Sequence, residues 1–336
     1  MKPLRTIVVG FGFMGRTHAA NLRQLKHFEL CGIVDSRSHQ ELSGSAGGNI
    51  QSGAIGLDQL PDVPLFARLE ECFAAVRPDA VVIALPTAAH AATTRLCLAQ
   101  GCHVFLEKPI CLDVGEGEAL VKQADAARKT FMVGHCVRFF PAYEILLDAI
   151  RSGALGRLRL LTLERFSGTP NWGVWKDAAT RVSNGGALFD LLIHDIDIAR
   201  AALGDPAEVW TPPGLVETFG ADYVNATWRY PSGATVMIRG GHLFPPGRPF
   251  ECGYSALFEN SSLLYTSHEP DCVLQLGPTG RKELPVSGAI DGYRKEMEYF
   301  GACAQSGQSP DRCLPQDAVA AVRLAARHIS QGGRPA

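Results

Sequence analysis

No apolar run in this chain approaches the length of a membrane span, which excludes a transmembrane helix. Paired cysteines are also missing. The ten cysteines stand singly inside apolar stretches, as in Leu30-Cys31-Gly32 and Leu96-Cys97-Leu98. That points to reduced core thiols in a cytoplasmic protein rather than to a disulfide framework or a zinc site. Neither sign of charge prevails: 32 Lys and Arg face 34 Asp and Glu, a formal net charge of -2. This balance offers no electrostatic handle for a nucleic acid or an anionic membrane. Residues 1–6 run straight into a strand pattern, without the apolar stretch and small-residue cleavage site of a secretory signal. What remains is a globular composition, 46% apolar and 20% charged over 336 residues, long enough for two domains.

The first domain reads as alternating strands and helices. Strand patterns cover residues 7–9, 29–34, 79–86, 103–106 and 131–134, and helical patterns cover 16–25, 91–100 and 112–129. Such alternation predicts a parallel sheet covered on both faces. After the first strand the chain runs Gly10-Phe11-Gly12-Phe13-Met14-Gly15. A lone G-x-G-x-x-G says little, but this one follows a strand and opens a helix. An acidic residue, Asp35, ends the next strand twenty positions after Gly15. Gly10 would permit the tight turn, Gly12 the approach of a pyrophosphate, and Gly15 the close packing of helix on strand. The free N–H groups at the helix start would then face the phosphates. Residues 1–134 are therefore expected to form an α/β, Rossmann-type dinucleotide-binding domain. Asp35 would accept the adenosine ribose hydroxyls, which favours NAD. Arg37, just past Ser36, can pair with a 2′-phosphate, so NADP stays open. Residues 39–56, rich in Gly and Ser, read as a loop with at most a short helix.

Two constellations carry the chemistry. Glu107-Lys108-Pro109 follows a strand, at the carboxyl edge where open α/β sheets place ligands. Pro109 biases Lys108 toward an extended backbone. An ammonium there, beside a positively charged nicotinamide, loses its proton more easily and can polarise a substrate hydroxyl. A solvated loop is the competing reading of that pair. The second constellation is a helix expected over 187–203, stopped by Gly204. Asp190, His194 and Asp197 on it are spaced by four and three, which puts them on one face of an otherwise apolar helix. Unpartnered polar groups are costly to bury. The row is therefore a structural hydrogen-bonded set, a thin metal ligand set, or a general acid/base histidine held by Asp190.

The second domain, 135–336, is expected to be α+β. Strand pairs flank turns at 231–233, 259–261 and 277–280, and helices are expected over 291–306 and 315–330. Hairpins of this kind predict a large, mostly antiparallel open sheet with helices on one face. Its uncovered face would be buried against a copy of the chain, giving a homodimer or homotetramer. The loop 169–176 holds Asn171 and Trp172 among Gly and Pro. It is either a lid whose aromatic face stacks on a sugar ring or a loop packed on its own protein.

These pieces resemble the glucose–fructose oxidoreductase/inositol dehydrogenase (Gfo/Idh/MocA) family over nearly the whole chain. The resemblance rests on the glycine turn, Thr87-Ala88-Ala89-His90, Glu107-Lys108-Pro109, residues 134–138, and the helix with Asp190 and His194. It implies an NAD(P)-dependent oxidoreductase moving a hydride between nicotinamide and a secondary alcohol or ketone of a sugar or polyol. His194 would take the hydroxyl proton, Lys108 would stabilise the developing alkoxide, and Asp190 would orient His194 or hold a neighbouring hydroxyl. Leu85, Pro86, Thr87, His90 and Glu107 would seat the cofactor, and Arg138, Asn171 and Trp172 would line the substrate. No metal is implied. Leu192 stands where many members carry glycine, and Val137 replaces a second arginine of the inositol dehydrogenases. A redox-assisted glycoside hydrolase and a non-catalytic dinucleotide or sugar sensor remain as alternatives. The sensor has no need of a lysine and histidine suited to proton transfer.

Overall fold

The computed structural model describes residues 2–44, 47, 52–171, 173–211, 222–286 and 291–331. Its contacts divide into two compact units, Met1–Cys136 with Tyr293–Val319, and Val137–Gly292 with Ala320–Ala336. Residues 293–319, assigned above to the second domain, thus lie in the first unit.

In the first unit β1 (Leu4–Val9), α1 (Phe13–Gln24), β2 (Phe28–Val34), α2 (His39–Leu42), β3 (Leu65–Phe66), α3 (Leu69–Val76), β4 (Ala80–Ile83), α4 (His90–Ala99), β5 (His103–Glu107), α5 (Val114–Ala127) and β6 (Phe131–Gly134) follow one another. The strands form one parallel sheet in the order β3-β2-β1-β4-β5-β6. Chain order reverses between β1 and β4, and sheets of this type bind ligands beyond the carboxyl ends of the strands there. Every residue of β4 is buried, as a strand packed on both faces requires. The short helix expected within 39–56 is α2, opened by a capping box between Ser38 and Glu41. Part of that loop lies outside the described residues. β3 carries too few residues for any periodicity to show in the sequence, and α3 falls outside the helices expected above.

The second unit opens with α6 (Pro141–Ser152), β7 (Leu158–Gly168), α7 (Ala178–Ser183) and α8 (Ile193–Leu203). It continues with β8 (Glu208–Trp210), β9 (Tyr223–Arg229), β10 (Thr235–Phe244), β11 (Glu251–Phe258), β12 (Ser262–Thr266), β13 (Cys272–Gly277) and β14 (Gly280–Pro285). Its eight strands run in the order β14-β13-β12-β11-β7-β10-β9-β8, with all three expected hairpins present and only β7 and β10 parallel. Two helices close the chain, α9 (Asp291–Ser306) and α10 (Pro315–Gln331). From Tyr293 onward α9 belongs to the first unit. There Phe300 stacks on Phe28 at 6.2 Å between ring centres and meets Phe105 edge-on at 5.6 Å.

All ten cysteines are free. Burial pushes the Cys72 and Cys111 thiols up to about 12, leaving them inert as nucleophiles.

Candidate active site

The glycine turn occupies the link from β1 to α1. Gly10 has φ +89°, and a Cβ on it would lie 2.5 Å from the Ala84 carbonyl oxygen. A Cβ on Gly15 would lie 1.9 Å from the Gly10 carbonyl oxygen, so helix and strand approach more closely than any side chain permits. Gly12 differs. A Cβ there would meet nothing within 4 Å, and no side chain caps the helix it opens. The half-exposed Gly12, Phe13 and Met14 thus present open space above uncapped N–H groups, which fits a pyrophosphate.

Asp35 lies just past β2 and is fully engaged. Its carboxylate accepts the Phe11 N–H at 2.8 Å, the Arg37 N–H at 3.0 Å, and two guanidinium bonds from Arg37 at 2.9 and 2.7 Å. Burial raises this carboxyl, but the bonds from Arg37 and Phe11 outweigh it and hold the group below its usual range. Arg37 is therefore clamped on Asp35, while Ser36 stays exposed.

At the next strand ends, Leu85 and Pro86 follow β4, and a short turn, Thr87–Ala89, leads into α4. His90, 1% exposed, reaches back with Nε2 2.8 Å from the Leu85 carbonyl oxygen and Nδ1 2.8 Å from that of Pro109. It ties the end of β4 to the turn after β5, and burial holds its ring below the usual histidine range. Lys108 is half-buried on that turn, its bond to Pro109 cis and its N–H donating to Glu107 Oε2 at 3.2 Å. The Glu107 side chain is buried, with Oε1 2.6 Å from His18 Nε2. His18 was not foreseen; it is a histidine on the inner face of α1, which no local motif marks.

In the second unit the helix around Asp190 departs from expectation. Leu188–Leu192 is a π turn, and α8 begins only at Ile193. The π turn takes Asp190 out of the α-helical repeat that a single-face row requires, while His194 and Asp197 remain three apart on α8. Asp190 and His194 are half-buried, whereas Asp197 is fully buried. Asp197 accepts a two-pronged bond from Arg138, at 2.7 Å from Nε and 2.6 Å from Nη2. Arg138, expected to line the substrate, is thus 5% exposed and engaged in anchoring α8. One residue pair is new: Arg165 of β7 donates to Asp195 of α8 at 2.9 and 3.1 Å. Burial pushes the Asp195 carboxyl up, opposed by the guanidinium facing it, and Arg165 stays charged. His242 of β10, also unforeseen, points Nε2 at Asp190 Oδ2 from 3.8 Å. It lies near the end of β10, past the Gly240-Gly241 pair, where no local motif marks it. Asn171 is exposed, and Trp172 lies outside the described residues.

Among the described residues no helix is long and apolar enough to cross a membrane. The family model of an oxidoreductase family with an NAD-binding Rossmann fold matches residues 4–135, and the Gfo/Idh/MocA C-terminal domain model matches 143–260. A UDP-N-acetylglucosamine 3-dehydrogenase of Acidithiobacillus ferrooxidans is 28% identical over 69% of this chain and 65% of its own length, just short of two thirds. The match to the D-glucoside 3-dehydrogenase of Escherichia coli, 28% identical over 61% of this chain, spans 55% of that protein. A levoglucosan dehydrogenase, solved with NADH and levoglucosan, superposes with a TM-score of 0.82 at 17% identity, covering 98% of this chain and 97% of that one; at such identity the likeness shows the fold. With both its domain models matched in order along the same chain, this protein belongs to the Gfo/Idh/MocA oxidoreductase family.

Proposed function

We propose that the chain is an NAD-dependent dehydrogenase of a secondary alcohol on a sugar or cyclic polyol, with NADP as the weaker cofactor. The observation that carries the reading is Lys108. It stands half-buried at the carboxyl end of β5, on a turn that His90 pins to the end of β4, in the unit that also holds the open cradle at Gly12. The nicotinamide supplies the hydride acceptor. Gly10, Gly12, Phe13, Met14 and Gly15 seat its pyrophosphate, Asp35, Ser36 and Arg37 its adenosine ribose, and Leu85 to Thr87 with His90 and Glu107 its inner half. Lys108 stabilises the oxygen charge that develops on the substrate. His194 takes the hydroxyl proton, with Asp190 orienting it. Arg138 contributes by holding α8 through Asp197, and exposed Asn171 with Trp172 supplies ring contacts. The reading is tested by mixing the protein with NAD and a panel of polyols and sugars while following reduced-cofactor absorbance. Sugar release without net reduction would favour the hydrolase reading instead.

The Asp35–Arg37 clamp supports the cofactor choice, since a 2′-phosphate would meet the Asp35 charge and find Arg37 already engaged. Replacing Asp35 by Ala is expected to weaken kcat/KM for NAD by about 10- to 100-fold, the loss of one charge-assisted hydrogen-bonding group, and to raise it for NADP. An unchanged ratio would refute the assignment.

The second sheet supports self-association. Pairing register places Trp210, Thr227, Met237, Thr162 and Ser255 side by side, with Leu257 two residues along and Leu276 reached through Ser262. All therefore share one face, and on it Trp210, Leu257 and Leu276 are 63%, 48% and 40% exposed. A second copy of the chain buries this face in a homodimer or homotetramer. Light scattering at micromolar concentration should give a multiple of the chain mass; a monomer mass sinks the proposal. With ten free thiols, the compartment that suits the chain is the cytoplasm.

A further inference from the structure

Behind the Lys108 turn lies a cluster of which the proposed function uses only Glu107. His18 of α1, Glu107 of β5 and Glu296 of α9 bring their ligand atoms within 4.8 Å of one another, all within the first unit. His18 and Glu296 are 0% exposed and Glu107 is 6% exposed. Glu107 is well supported, by His18 on Oε1 and by the Lys108 N–H on Oε2. Glu296 is not: neither of its carboxyl oxygens has a hydrogen-bond partner among the described residues. Two carboxylates without solvent at this separation repel each other, and each resists ionisation through burial alone.

A metal ion is one way to neutralise such a set, and a shared proton is another. The distances favour the proton. His18 Nε2 and Glu107 Oε1 are 2.6 Å apart, in direct hydrogen-bond contact, whereas two ligand atoms on a tetrahedral zinc stand about 3.3 Å apart, given bonds near 2.0 Å. We propose that Glu296 is a neutral carboxylic acid at neutral pH and directs its O–H toward the Glu107 carboxylate, making it a positioning residue for Glu107 and hence for the Lys108 backbone. Burial and the Glu107 charge both drive the Glu296 carboxyl well above its usual range. Burial also raises Glu107, but the His18 hydrogen bond, with the charges of His18, Lys108 and His90, reverses the direction and keeps it ionised. The two carboxyls thus divide their roles, one acid and one acceptor, as pairs sharing a site do. Glu296 reaches the reaction only through Glu107, so this inference rests on Lys108 acting in the proposed dehydrogenase.

Infrared difference spectra in heavy water test the proton directly. Wild type minus Glu296→Gln at pH 7 should show one band in the protonated-carboxyl C=O region; ionised-carboxylate bands in its place would overturn the proposal. So would a stoichiometric transition metal, found by elemental analysis of the purified wild type and lost in Glu296→Gln. For positioning, Glu296→Ala should lower kcat about tenfold to a hundredfold by shifting the Glu107–Lys108 turn. Glu296→Gln, neutral and of the same shape, should restore kcat and its pH profile to within about twofold of wild type. If Ala and Gln are equally active, or equally impaired with intact folding by circular dichroism, the positioning role is refuted. A wild type that shows the band yet reduces no cofactor with any polyol upholds the proton on Glu296 and overturns the activity reading instead.

Discussion

Replacing His194 by Ala is expected to lower kcat by about 10²- to 10⁴-fold, the range that a positioned proton acceptor contributes, while NAD binding stays unchanged. The alcohol proton must leave as the carbon gives up its hydride, and an imidazole is suited to receive it near neutral pH. His194 sits half-buried on the first turn of α8, directly after the π turn. It is therefore accessible, and Asp197–Arg138 and Asp195–Arg165 clamp the helix that carries it at two buried points. Steady-state rates with the best substrate of the polyol panel, alongside NAD affinity from cofactor fluorescence, provide the comparison. A parallel Lys108→Ala variant should fall comparably. Wild-type turnover in both would remove Lys108 and His194 from the reaction.

The largest effect on stability is expected at Asp195. Changing it to Ala leaves the Arg165 guanidinium, 4% exposed, without its carboxylate. Stripping one partner from a buried ion pair costs about 3–5 kcal/mol. The urea midpoint should fall accordingly. An exposed pair is the control: Arg239 with Glu164 joins neighbouring strands with side chains 45% and 34% exposed. Glu164→Ala there should change stability by less than about 1 kcal/mol. Because an unpaired buried charge is the damaging element, adding Arg165→Met to Asp195→Leu should recover much of the loss. A double variant no better than Asp195→Ala would locate the cost elsewhere.

Features written in neighbouring residues were legible before the fold was known. Gly10, Gly12 and Gly15 sit between a strand and a helix, and their distinct steric surroundings follow from that placement. The hairpins were legible because alternating strands flank turns such as Pro231-Ser232-Gly233. The row at Asp190, His194 and Asp197 was legible only in part, for a physical reason. Counting residues assumes a uniform helical repeat, and the π turn at Leu188–Leu192 breaks it. What joins distant segments was invisible. Arg165 meets Asp195 across thirty positions and His18 meets Glu107 across 89, with nothing local to either residue announcing the other. No motif around Glu296 on α9 sets it apart; only burial against Glu107 makes it unusual.

The return of α9 to the first unit bears on how the chain is made. Phe300 supplies the ring that covers Phe28 and Phe105, and Glu296 completes the cluster with His18 and Glu107. Both are translated only after residues 137–292, which form the body of the second unit. The nascent first unit therefore leaves the ribosome with aromatic surface uncovered, although domains generally fold in the order of synthesis. Its final packing waits on a segment more than 150 residues downstream of β6. A nascent chain stalled near residue 290 should accordingly bind chaperones through the same aromatic rings that form the core of the finished protein.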